Sequence, residues 1–130
     1  MRYNDGMRSV YIGSSLLNAA QVKEVITKFR AVNIQVTYDW TTHGRVTHED
    51  DLKTYGMAEY RGVVECDVFF MIHPARNGTH VELGIALACN KPVVMVTIDG
   101  IEPKTFYYLN NVHRFNKVDD AFDFTVRMLT

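Results

Sequence analysis

CDVFFMIHPARNGTHVELGIALACNKPVVMV, residues 66–96, contains one complete strand–helix–strand unit. Asp67 to Ile72 is apolar after its first residue, the pattern of a strand buried on both faces. His73 to Gly78 reads as a loop, and the helix after it runs through Asn90 until Lys91-Pro92 breaks it. Val93 to Thr97 is a second buried strand. Two buried strands joined by a helix imply a right-handed parallel crossover, so the sheet around them is parallel.

The same alternation extends both ways. Upstream, Ser9 to Ile12 is a short strand ending at Gly13, and Asn18 with Gln21 resembles a helix start. Val22, Val25, Ile26 and Phe29 then recur at helical spacing, with Lys23, Glu24, Lys28 and Arg30 between them. Ile34 to Tyr38 reads as a strand, Thr41 to Thr47 as a polar loop, and about His48 to Glu65 as a helix weakened by Gly56 and Gly62. Downstream, a short helical piece near Pro103 to Leu109 leads to a minor strand at Val112 to Phe115. A last helix places Val118, Ala121, Phe122 and Leu129 on one stripe. The expected fold is α/β: a flavodoxin- or Rossmann-like three-layer sandwich whose five parallel strands run in the order 2-1-3-4-5, with helices on both faces. Such sheets bind ligands at the carboxyl ends of their strands.

With 130 residues and no repeat or linker, one domain over 1–130 is expected. The net charge of -1 supplies no field for nucleic acid or anionic membrane, which turns attention to small substrates. No apolar run approaches the ~20 residues of a membrane span. The opening MRYNDGMRSV lacks the apolar centre of a signal peptide. Cys66 and Cys89 read as two buried thiols in a reducing, cytoplasmic compartment. His43, His48, His73, His80 and His113 form no metal-spaced pair, so neither metal nor cofactor is expected.

Glu82 is the most informative residue, the only polar side chain in VELGIALAC. Its helical neighbours Ile85, Ala86 and Cys89 are apolar, and burying an ionised carboxylate costs several kcal/mol without compensation. A helix N-terminus supplies that compensation and would leave a poorly hydrated carboxylate usable as nucleophile or cation stabiliser. The plain alternative is a first-turn glutamate capping its own helix. Glu59 shares a stripe with Leu52, Tyr55 and Val63, against a competing stripe of Met57, Tyr60 and Val64. Two carboxylates on different elements suit glycosidic chemistry, in which one attacks and the other protonates the leaving group. The turn at Gly13 and Ser14 and the loop Arg76-Asn77-Gly78-Thr79-His80 offer N–H groups and a cation to an anion such as phosphate. Asp39 and Trp40 close the second strand, where they either hold a base and sugar or cap and pack. Phe106-Tyr107-Tyr108, before Asn110-Asn111, lines a pocket or packs at a subunit contact.

These motifs resemble the nucleoside 2-deoxyribosyltransferase superfamily, which includes the 2'-deoxynucleoside 5'-phosphate N-hydrolases. The stretch at 66–96 carries the likeness most specifically, in ELGxAxAxxKP; SVYIGSS and FYYLNNVHRF extend it over most of the chain. The resemblance implies that Glu82 attacks the anomeric carbon and that Glu59 stands where the N-hydrolases carry a second acidic catalytic residue. It sets Tyr11 near their active-site tyrosine, and Gly13, Ser14 and Gly78 in loops holding sugar and phosphate. It also implies a homodimer or higher homo-oligomer. Leu16 and Leu17 occupy the region of a basic residue in the N-hydrolases, and Arg76 and Asn77 replace a serine. Nucleotide and nucleoside therefore both remain as substrates, with Arg76 the candidate phosphate ligand. The expected activity is hydrolysis of a (deoxy)nucleoside 5'-monophosphate to free base. The alternatives are deoxyribosyl transfer between bases and a non-catalytic nucleotide-binding sensor on the same scaffold.

Overall fold

The structure is a computed structural model and describes residues 8–130. Residues 1–7, on which the signal-peptide expectation partly rests, lie outside the described residues. Five strands, β1 (Arg8–Gly13), β2 (Ile34–Val36), β3 (Val68–Ile72), β4 (Val93–Val96) and β5 (Val112–Phe115), alternate with four helices. These are α1 (Ala19–Ala31), α2 (Glu49–Glu65), α3 (Asn77–Ala88) and α4 (Val118–Leu129). The strands form one parallel sheet in the order β2-β1-β3-β4-β5. This is the expected doubly wound sheet.

The strand period of two sorts the core into two layers. Phe70 points to the α1/α4 side, where Phe29 meets it edge-on at 5.3 Å and Phe122 packs on Phe29 at 4.7 Å. Tyr11 and Phe69, paired in register, point to the α2/α3 side and stack at 6.0 Å. All of β3 and β4 is buried, which explains their unbroken apolar runs. Gly62 lets α2 close on the sheet: a Cβ there would lie 2.9 Å from both Tyr11 Cδ2 and Tyr38 Cβ. The glycine read as a helix weakness is a contact requirement.

Several boundaries differ from expectation. β2 stops at Val36 rather than Tyr38, because Asp39 caps a 3-10 turn over Trp40–Thr42 by accepting from Thr41 N–H. α3 begins at Asn77, inside the expected loop, and ends at Ala88, with Asn90 in the left-handed conformation at φ 57°. Cys66 is buried as expected but Cys89 is exposed, since it caps the end of α3 rather than facing the sheet. No described helix is long and apolar enough to cross a membrane.

Candidate active site

Glu82 is the sixth residue of α3, one turn further along than a capping position. The expected compensation by the helix N-terminus is therefore replaced by a side chain. Tyr11, fully buried on β1, donates its hydroxyl to Glu82 Oε2 at 2.7 Å. Gly13, two residues on and on the same face, makes room for the other oxygen: a Cβ there would sit 3.1 Å from Glu82 Oε1 and 2.7 Å from Phe69 Cζ. Among the described residues no cation pairs with Glu82. Burial therefore dominates and lifts the carboxyl from 4.5 to about 8; the Tyr11 hydrogen bond opposes the rise and the nearby Glu59 adds to it. The same burial, with Glu82 and Glu59 close by, drives the Tyr11 phenol well above its ordinary value, so it remains a donor.

Glu82 lies against a cleft of about 330 Å³ at the carboxyl end of the sheet, the low end of the range for small-molecule sites. The β1 turn lines it with Ser14, Ser15 and Leu16, and the β3–α3 turn with Arg76, Gly78 and Thr79. These two turns flank the switch point between β1 and β3, and they are tied together: Ser15 N–H and Ser14 Oγ both donate to Pro74 O, at 2.9 and 3.2 Å. Across the cleft stand Trp40, His43, Arg45 and Val46 from the segment after β2, and Leu52, Tyr55 and Glu59 from α2. Tyr55, Glu59 and buried Val63 are thus the part of the stripe that faces inward; Leu52 borders the cleft but is exposed, as are Met57 and Tyr60 of the competing stripe. Burial raises the Glu59 carboxyl and His43 pulls it down.

The sequence-predicted residues divide. Glu82, Glu59, Ser14, Trp40, Arg76 and Gly78 line the cleft, with Tyr11 and Gly13 directly behind Glu82. Trp40 is held by its indole N–H, which donates to Ile12 O at 2.7 Å, and it is a buried part of the cleft wall. Asp39 is occupied by Thr41 and does not line it, nor does Asn77. His80 turns the other way. Its Nε2 lies 2.7 Å from Tyr107 Oη, which also reaches His73 Nε2 at 3.1 Å, and it borders an apolar groove with Phe106 and Leu109. Ser15 and Thr79, within the two turns expected to bind an anion, also line it, whereas His43, Arg45 and Tyr55 were missed as lining residues. Tyr55 lies one helical turn before Glu59, and His43 follows a strand at its carboxyl end, so the signals were position rather than residue type. Among the described residues no three metal-ligating side chains gather.

No protein-family model matches the chain, and no curated protein matches it in sequence. Solved structures do match in fold. The CMP N-glycosidase BcmB of Clostridium botulinum superposes with a TM-score of 0.65 at 17% identity, covering 92% of this chain and 99% of its own. A 2-deoxyribosyltransferase from Leishmania mexicana gives 0.60 at 16% identity, over 92% and 97%. BlsM gives 0.67 at 18%, over 95% and 92%. The chain therefore shares the fold of these three structures, over nearly their whole length. In this chain the fold brings Glu82, Tyr11 and Glu59 to one end of the sheet.

Proposed function

We propose that residues 1–130 form one catalytic domain that hydrolyses the N-glycosidic bond of a (deoxy)nucleoside 5'-monophosphate and releases the base, with Glu82 as nucleophile. The observation that carries this is a carboxyl buried beside a cleft, fixed by a phenolic hydrogen bond and, among the described residues, without a cation. Such a group is poised to ionise against a positively charged, oxocarbenium-like sugar. Glu59, on the opposite wall, donates a proton to the departing base. Ser14, Ser15, Arg76 and Arg45 line the same cleft and supply hydroxyl groups and charge to a 5'-phosphate. The likeness to a CMP N-glycosidase supports hydrolysis. The likeness to a 2-deoxyribosyltransferase supports a second reading, transfer of the sugar to another base.

The test is incubation with a panel of nucleosides and 5'-monophosphates, followed by chromatography of free bases. Wild type should liberate a base from at least one monophosphate and Glu82→Ala should not; equal release by both proteins would refute the assignment. Incorporation of an added acceptor base would select transfer over hydrolysis. Exposed Val81 on α3 and exposed Phe106 and Leu109 beside the groove favour a homodimer through that side. The free thiols Cys66 and Cys89 favour a cytoplasmic setting.

A further inference from the structure

His43 Nε2 is buried and has no hydrogen-bond partner among the described residues. Leaving a buried polar nitrogen bare costs roughly 1–3 kcal/mol. The ring is nevertheless held in place, stacked on Tyr55 with centroids 4.0 Å apart and flanked by Tyr38 at 6.1 Å. Its Nδ1 lies 3.3 Å from Gly44 O. A carbonyl only accepts, so Nδ1 carries a proton. In the neutral ring Nε2 is then a lone pair, and it lies 3.8 Å from Glu59 Oε2. A lone pair beside an ionised carboxylate is repelled. The contact is attractive only with a proton between the two, as imidazolium with carboxylate or as carboxylic acid with imidazole.

We propose that His43 is the positioning residue for Glu59: the pair shares one proton at the cleft wall and releases it, through Glu59, to the departing base. This rests on the glycosidase reading. In the first step the C1'–N bond breaks, C1' bonds to a Glu82 oxygen, and the shared proton passes to the base nitrogen. In the second, water bonds to C1', the bond to Glu82 breaks, and the water's proton returns to the Glu59–His43 pair. The groups around the pair are Tyr55 from α2, Tyr38 and Asp39 after β2, Arg45 from the loop of His43 itself, Arg76 and Glu82 across the cleft, and Tyr11 behind Glu82. None of them is placed by a hydrogen bond or ion pair to take over from His43.

Two substrates with the same sugar separate this role from mere support of the fold. One is the monophosphate that wild type cleaves fastest; the other is the matching 4-nitrophenyl glycoside, whose phenolate leaves without a proton. His43→Gln should slow base release about 100-fold and nitrophenol release less than about threefold, and Glu59→Gln should show the same split. In His43→Gln the Glu59 carboxyl, followed by its 13Cδ resonance, should titrate at higher pH than in wild type. Equal slowing of both substrates, or an unmoved Glu59 titration, overturns the role of His43 while leaving the glycosidase reading intact. Absence of both base and nitrophenol release by wild type would instead remove the glycosidase reading, and this role with it.

Discussion

Replacing Glu82 with glutamine should make the protein more stable and inactive, and the gain should grow with pH. The folded-state carboxyl is lifted from 4.5 to about 8, principally by burial. A raised carboxyl pKa favours the folded state while the proton is on, so this stability is fully present below about 4.5 and is lost as pH rises through about 8. Each unit between those limits costs wild type about 1.4 kcal/mol relative to a neutral isostere. At pH 7 the difference amounts to roughly 3 kcal/mol, and at pH 4 it vanishes. Glutamine keeps an oxygen to accept from Tyr11 and matches the carboxyl in size, its N–H₂ taking the Oε1 position beside Gly13, so the swap introduces little packing strain. Glu59 titrates in both proteins and largely cancels. Urea unfolding of the two proteins at pH 4, 5.5, 7 and 8 reads the difference directly. A gap that stays constant with pH, or a wild type more stable than the variant at pH 8, would show that the carboxyl is not held in a dry site.

Three further outcomes follow from the same geometry. Tyr11→Phe removes the hydrogen bond that holds the Glu82 pKa down, so the rise of kcat/KM with pH, expected near about 8 in wild type, should move to higher pH; an unmoved limb in the pH–rate profile would contradict it. Gly13→Ala places a methyl 2.7 Å from Phe69 Cζ and 3.1 Å from Glu82 Oε1. It should cost about 1–3 kcal/mol in urea unfolding and lower kcat more than it raises KM. Tyr107→Phe strips the hydroxyl that bridges His73 and His80, at 3.1 and 2.7 Å. A loss of roughly 1–3 kcal/mol is expected with kcat nearly unchanged, because neither histidine lines the cleft; a collapse of kcat would place His80 in the site after all.

The sheet was legible because burial writes itself into residue choice. The apolar runs of β3 and β4 require cover on both faces, and the i, i+3, i+4 pattern of α1 announces its buried stripe. Glu82 was legible for the complementary reason, as a single acid in an apolar helix. Its compensation was not: the hydroxyl of Tyr11 comes from 71 residues away, and no local pattern encodes that pairing. Cys89 shows the limit of reading burial from neighbours, since a helix apolar all round still presents one side outward. The α2 stripe was ambiguous in sequence and was decided by Gly62, which brings one face of the helix onto Tyr11 and Tyr38. His80 was read toward the substrate because its loop leads there, yet α3 starts early enough to turn its ring toward Tyr107.

Capture of the sugar on the enzyme addresses the nucleophile most directly. Wild type incubated with 2'-deoxy-2'-fluoroarabinosyl nucleoside 5'-monophosphates should gain the mass of one fluorinated sugar phosphate in intact-protein mass spectrometry, and peptide mapping should locate it on Glu82. Release of base with the adduct on any other residue, or an adduct of equal yield in Glu82→Gln, would contradict the account.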